Sequence, residues 1–411
     1  MKPSLPAPSS TLSIWHRTTR SFPHLHANRL TTVPTSAKYV IIGSGISGAL
    51  TAWKLIESGV KGEDILILES REAVSGASGR NAGHIRPNAF GSFPGYAATH
   101  GPEQAVKVLE NEKSVLENIR KFVEEHDVDC DFRYTNTFDV ATSEEQKKSL
   151  ADAFVSFKAA GGDTSHITVY EGDEAKIKTR AYNALVAYES PAASNHPGKL
   201  VQWILNDFIS KGGKLWTHCA ATKVVSSGSS SSWDVYTVRG TVTAATVVHC
   251  TNAYAAYLLP DLSQFITPRR SQVHAFIPRL SLSGEYAMKH TMALRYGNEN
   301  FFSVNPLNNG TILLGGSGTR TSSDGHSAQE LISFDDSLFS ERIAKSSTRE
   351  FTGLCEESAQ TPLRHGEGLD HAWTGIIGTT KDKLPLVGPV EGRKDRACSS
   401  IFGVELIRFD F

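Results

Sequence analysis

An apolar run, a glycine-rich turn, an amphipathic segment and a second apolar run follow one another between residues 39 and 69, and their order predicts an α/β fold. Three observations carry it: the turn Val40-Ile-Ile-Gly-Ser-Gly-Ile-Ser-Gly48, the run Ile65-Leu-Ile-Leu-Glu69, and an alternation of helical and stranded patterns that resumes after residue 102. The first two read as the opening half of a Rossmann-like dinucleotide-binding βαβ unit. The third reads as an interleaved α+β region containing a β-sheet.

Tyr39 to Ile42 has the length and β-branching of a buried parallel strand. Gly43 then allows a tight turn, Gly45 has no side chain to hold a pyrophosphate away from the backbone, and Gly48 lets the next helix lie near the strand. The turn residues Ser44, Ile46 and Ser47 lead into that helix, whose N-terminal amides would face the phosphates. Ile46, Ala49, Leu50, Trp53 and Ile56 recur at helical spacing, and Gly59 suits the C-terminal cap. Glu63-Asp64 turns the chain into the strand Ile65 to Leu68. Glu69, followed by Ser70, lies 21 residues past Gly48, where such units place a carboxylate on the ribose hydroxyls; an acid there favours a ribose without a 2′-phosphate. The small-residue loop Ser75 to Arg86 can wrap further phosphate contacts, with charge from Arg80 and hydrogen bonds from Ser78 and Asn81, and its Gly79 and Gly83 are counted among the cofactor-binding residues.

The combination of the glycine triplet, Glu69 and Gly76-Ala-Ser-Gly-Arg-Asn-Ala-Gly83 resembles the FAD-dependent oxidoreductases of the D-amino-acid oxidase and glycine/sarcosine oxidase group, in particular the subgroup with gamma-glutamylputrescine oxidoreductase and its fungal relatives. The resemblance continues in order through Leu5 to His16, Asn195 to Leu200, Thr222 to Val225, Cys250 to Tyr254, Pro268 to Gln272, Gly310 to Gly316, and Trp373 to Gly388. It implies that Val224 lies on the strand meeting adenine and that Thr251 lies in the turn closing the central sheet. It also implies a division into a leader (1–36), an FAD-binding domain (37–97, 196–260 and 365–411) and a substrate domain (98–195 and 261–364). One departure stands out. The group carries Gly-Phe-x-Gly-His-Gly over the flavin ring after the segment like Pro385 to Gly388, whereas residues 397–411 read Ala-Cys-Ser-Ser-Ile-Phe-Gly-Val-Glu-Leu-Ile-Arg-Phe-Asp-Phe. Loss of that closing motif leaves a truncated or catalytically silent FAD-binding protein as one alternative. An NAD-dependent dehydrogenase, compatible with the triplet and Glu69, is another.

At 411 residues the chain can bury a substantial core in two or more domains. A formal charge of −1 with 39% hydrophobic residues gives no basic excess for a nucleic acid, and no eighteen apolar residues follow one another as a membrane span requires. Cys130, Cys219, Cys250, Cys355 and Cys398 are scattered without a C-x-x-C pair, which points away from a disulfide framework or a zinc site and toward a reducing, cytoplasmic setting. The leader is expected to wrap the surface.

Pro102 to Glu125 and Glu144 to Ala160 read as helices flanking a strand from Phe132 to Val140. Leu200 to Ile209 is a further amphipathic helix, followed by the strand Lys214 to Thr217 and a serine-rich hairpin connection at 226–232. The stretch from Pro268 through Phe302 to Leu314 is β-rich.

The resemblance implies oxidation of the C–N bond of an amine or amino acid, with hydride passing to FAD and then to oxygen, giving hydrogen peroxide, or to another acceptor. No Gly-x-Ser-x-Gly or His-Glu-x-x-His motif competes with that chemistry. His84, following the Arg80 loop, is the candidate catalytic residue, as a group at the ring or as a point of flavin attachment. Arg86 is a candidate for a substrate carboxylate, with Arg295 and Lys381 behind it. Trp373 and Phe302 are expected in the core.

Overall fold

The computed structural model describes residues 2–228, 232–296, 301–316, 331–354 and 362–390, and the backbone of 396–400. In chain order the strands are β1 (Ser36–Ile42), β2 (Ile65–Leu68), β3 (His84–Ile85), β4 (Arg133–Ala141), β5 (Thr168–Glu171), β6 (Val186–Ser194), β7 (Lys214–Trp216), β8 (Ala221–Ser226) and β9 (Trp233–Thr237). They continue with β10 (Gly240–His249), β11 (Ile266–Ile277), β12 (Thr291–Arg295), β13 (Phe301–Pro306), β14 (Ile312–Gly316), β15 (Gly368–Thr380), β16 (Leu386–Pro389) and β17 (Arg396–Ser400).

One sheet runs β16-β17-β10-β1-β2-β7, with the hairpin β8–β9 attached to β10. Its centre is parallel: β10 on β1, β1 on β2, and β2 on β7. Alternation along the strands sends Val40, Ile42, Leu66 and Leu68 to one face, against Val224 and Trp233 of the hairpin. Ile41, Ile65 and Ile67 go to the other face, against Ala49 and Trp53 of the helix Ile46–Glu57 and Leu200, Leu205 and Phe208 of the helix Pro197–Ser210. Burial on both faces explains why these strands are continuously apolar. Each such side chain contributes about 1.5–3 kcal/mol.

The second sheet runs β15-β11-β14-β13-β12-β4-β6-β3, with β5 on β6. Phe138, Met292, Leu294, Phe302, Val304 and Leu314 form its core, with Phe351 of the helix Glu341–Thr352 stacked on Phe276 at 4.4 Å. The helices Pro102–Glu125 and Glu144–Ala159 match the sequence periodicity, as does Ile46–Glu57 with Gly59 at φ +92°. No described helix is long and apolar enough to cross a membrane.

Three groupings differ from the sequence expectation. His84–Ile85 pairs with Ser194 and Ala193 and so joins the second sheet, not the region 37–97. Residues 368–380, expected with the FAD-binding domain, form β15, which pairs along the whole of β11 in the second sheet, from Ile266 opposite Thr380 to Ile277 opposite Gly368. A strand of that length takes the sheet that offers twelve residues of backbone partners. The leader, finally, is not confined to the surface, because Ser13, Trp15 and His16 are buried.

Candidate functional site

A cavity of about 690 Å³ opens between the two sheets, within the range of cofactor sites. Its wall takes Gly43, Gly45, Ile46, Ser47, Glu69, Ser70, Ser78, Arg80, Asn81, His84 and Thr251 from the sequence-derived set. Ser44, Gly48, Gly79, Gly83 and Val224 stand behind the wall. Val224 packs in the apolar core beneath the hairpin, and Ala220 and Ala221 take the wall position expected of it.

The glycines stand where backbone crowds backbone. A Cβ on Gly48 would lie 1.9 Å from the Gly43 carbonyl oxygen; one on Gly43, at φ +113°, would lie 2.4 Å from that of Cys250. Gly45 caps the helix Ile46–Glu57 without a side-chain hydrogen bond, so the first turn faces the cavity; its Ile46 amide donates to Ser78 Oγ at 2.8 Å. Glu69 is buried beside this turn. One carboxylate oxygen accepts from the Ser44 amide (3.1 Å) and hydroxyl (2.7 Å), the other from Ser70 Oγ (3.1 Å) and the Arg71 amide (2.9 Å).

Arg80 departs from the expectation that it supplies charge to phosphates. Its Nε donates to the Ser75 carbonyl at 2.6 Å, Nη1 to the carbonyls of Thr11 (2.6 Å) and Thr374 (2.9 Å), and Nη2 to Ser10 Oγ, while Asp336 lies 3.5 Å from Nε. These protein acceptors occupy the guanidinium, and burial lowers its pKa to about 10, leaving it cationic at neutral pH. Arg80 therefore ties the loop, the leader and β15 together. Asn81 likewise braces the loop, accepting from the Gly83 amide at 2.8 Å.

At the other end, His84 projects from β3. Burial, reinforced by Arg86, lowers its pKa to about 3 against a hydrogen bond to the Val304 carbonyl, so the ring is neutral. Its Nε2 is buried and has no partner among the described residues. A neutral imidazole carries one N–H, so with that N–H on Val304 the Nε2 lone pair is an open acceptor. Thr251 Oγ1 is buried and without a partner in the same sense.

Beside His84, Arg86 and Arg295 share the carboxylate of Asp139. Arg295 approaches it at 2.8 Å (Nε) and 2.7 Å (Nη2), Arg86 through Nη2, and Arg86 Nε also donates to Thr137 Oγ1 at 3.0 Å. Burial opposes ionisation of Asp139, and the guanidiniums of Arg295 and Arg86 overcome it, holding the carboxyl below its ordinary value. Both arginines are on the cavity wall. Lys381 is exposed and off the wall, which Lys383 joins instead. Trp373 is fully buried, its Nε1 donating to the Arg80 carbonyl at 2.7 Å, and Phe302 is buried in the second sheet's core.

Asp139, Arg71 and Asp336 are not among the residues the sequence points to. Arg71 grips Asp336 through two bonds of 2.9 and 3.0 Å. A lone acid between Phe138 and Val140 in a strand-like run is a readable sign for Asp139; Asp336, 265 residues from Arg71, has none. Among the described residues, no three of His, Cys, Asp and Glu are grouped to hold a metal, and Cys130, Cys219 and Cys250 are buried and form no disulfide. Of the altered closing stretch, the backbone of 397–400 belongs to β17, and 401–411, with Gly403, lie outside the described residues.

A family model described as FAD dependent oxidoreductase matches residues 38–402. Gamma-glutamylputrescine oxidoreductase of Escherichia coli (strain K12) is 24% identical over 234 residues, 57% of this chain and 53% of that protein, so the chain spans about half the length of this curated relative. Among solved structures, L-amino acid deaminase from Proteus vulgaris (16% identity, 93% of this chain and 89% of that one) superposes with a TM-score of 0.68. Glycine oxidase from Geobacillus kaustophilus (18% identity, 89% of each) does so with 0.67. Of the dinucleotides that the glycine triplet and Glu69 leave open, the family match selects FAD. The cavity fits it: a glycine cradle a Cβ would fill, a helix N-terminus, and buried Thr251 and His84 atoms awaiting partners.

Proposed function

The chain belongs to the FAD dependent oxidoreductase family, and from that premise we propose that it oxidises the C–N bond of an amine bearing a carboxylate, an amino acid in the widest sense. The observation that carries this is the far wall of the cavity, where two guanidiniums share one buried carboxylate. Two positive charges on one negative leave a net cationic surface with planar donors suited to a second carboxylate. A simple amine would leave that charge without a partner, at a cost.

FAD, when bound, would supply a two-electron acceptor for oxidation at the carbon that bears nitrogen, with oxygen as the proposed final acceptor and hydrogen peroxide as its product. Gly45 and Ser47 would offer backbone amides to its phosphates, Gly43 would let the backbone approach them, and Glu69, on the cavity wall, would meet the ribose hydroxyls by exchanging one of the hydroxyl donors it holds, Ser44 or Ser70. Arg86 and Arg295 hold the substrate carboxylate, with Asp139 fixing their orientation. His84, neutral with an open Nε2, accepts a hydrogen bond from the substrate nitrogen; a ring with pKa about 3 orients a proton and does not store one.

The visible spectrum of the purified chain before and after acid precipitation reads out the flavin, and a panel of amino acids with their decarboxylated amines, assayed for peroxide, reads out the substrate class. The expected result is acid-released flavin and turnover of carboxylated substrates. In Arg295→Met, KM for the amino acid should rise by about tenfold or more, as loss of a charged hydrogen bond of 1.5–3 kcal/mol implies. Equal turnover of amino acid and matching amine by the wild type would sink the carboxylate assignment.

A further inference from the structure

The leader touches the cofactor loop at almost every step. Ala7 offers its carbonyl to Arg71 Nη1 (3.3 Å), Ser10 and Thr11 receive Arg80, Ser13 Oγ donates to the Gly79 carbonyl (2.6 Å), Trp15 Nε1 donates to the Asn81 carbonyl (2.7 Å), and His16 Nε2 meets the Val74 carbonyl (3.1 Å). The Thr11 amide donates to the Asp336 carbonyl at 2.9 Å, and the Asp336 carboxylate grips Arg71. Residues 75–79 of that loop are small, so their own side chains do little to hold its shape. On the loop's opposite side, Ser78 Oγ holds the Ile46 amide. Leu5 and Pro6, both only half-buried, lie on the cavity wall together with Glu69, Ser70 and Arg71.

We propose that the N-terminal segment Leu5–Trp15 is part of the cofactor site: Leu5 and Pro6 close the cavity over the adenosine end of FAD, and residues 7–15 hold the 71–81 loop in the shape that meets the phosphates. This rests on the FAD reading of the cavity. Two independent observations carry it, the wall position of an apolar pair beside the residues that mark the ribose end, and the run of buried hydrogen bonds from leader to loop. A ligand surface laid against Leu5 and Pro6 removes their remaining exposed apolar area from water, so cofactor and leader stabilise each other.

The test uses the full chain loaded with FAD and follows the rise of flavin fluorescence after dilution, in the wild type, Leu5→Glu, Pro6→Glu and the neighbouring exposed position Ser4→Glu. Leu5→Glu and Pro6→Glu should each release FAD about tenfold faster or more, a ratio equal to 1.4 kcal/mol. Ser4→Glu should match the wild type, and the melting temperatures of the flavin-free proteins should coincide. Wild-type release rates in both wall variants, or equal acceleration in Ser4→Glu, overturn the proposal while leaving the FAD reading in place. A wild-type chain that takes up no FAD overturns both.

Discussion

At the glycine-turn end the cavity wall comes mainly from two short contiguous stretches around residues 42–50 and 68–82, whereas at the far end it comes from β3, β12, β13 and β15, backed by β4. The first end works largely through backbone: glycines that permit close approach, and a helix N-terminus. The far end works through charged side chains, two arginines on one buried aspartate, which exist as a cluster only because β12 and β6 pair on either side of β4. Steric demands therefore govern one end and electrostatic compensation the other. Each predicts a different kind of failure.

The largest effect is expected at the steric end. In Gly48→Ala the new methyl would meet the Gly43 carbonyl, backbone against backbone, with no flexible side chain to yield. Destabilisation beyond about 4 kcal/mol is expected, seen as lost soluble yield or a much lower urea midpoint. Gly95→Ala, in the helix Phe93–His100 with no heavy atom within 4 Å of the added carbon, should instead stabilise by about 0.5–1 kcal/mol. Similar midpoints for the two variants would remove the steric half of the contrast.

The same contrast explains what was legible in the sequence. Gly43, Gly45, Gly48 and Glu69 answer to local requirements, so their spacing announces the βαβ unit, and the helix Pro102–Glu125 follows from its own periodicity. The contacts that complete the site are non-local. Arg80 reaches Thr374 across 294 residues, and nothing in the loop's composition foretells that its charge is taken up by the leader and β15. Residues 368–380 carry no mark of which sheet they join, because an alternating strand fits either until a partner of equal length is available. The family resemblance placed the pieces in order, but the direction in which Arg295 points is settled by the pairing of β12 with β4, where a shift of one residue would turn it from the cavity.

At the electrostatic end, Asp139→Ala should cost about 3–5 kcal/mol, because it leaves two guanidiniums buried without their shared counter-charge. Adding Arg86→Met to that variant should restore part of the loss, since one uncompensated cation is then removed. Urea denaturation of the single and double variants measures both. If Asp139→Ala matches the wild type, water already reaches the cluster, and the far end is no drier than the surface.

The most gradual effect, spread over several pH units, concerns His84 at the far end. Its folded pKa of about 3 is below the ordinary 6.5, so the unfolded chain takes up a proton first as the pH falls. The stability it contributes is complete above about pH 6.5 and is lost as the pH drops toward 3, at about 1.4 kcal/mol per pH unit. Replacing it with glutamine removes the titrating group and keeps polar atoms in its place. The urea-derived stability of His84→Gln, followed from pH 7 to pH 4, should fall less steeply than that of the wild type by about that amount per unit. Parallel curves would mean that the ring is protonated without penalty in the folded chain. The cavity would then be wet at its far end, and the open Nε2 would be a solvated nitrogen with no orienting role toward a substrate.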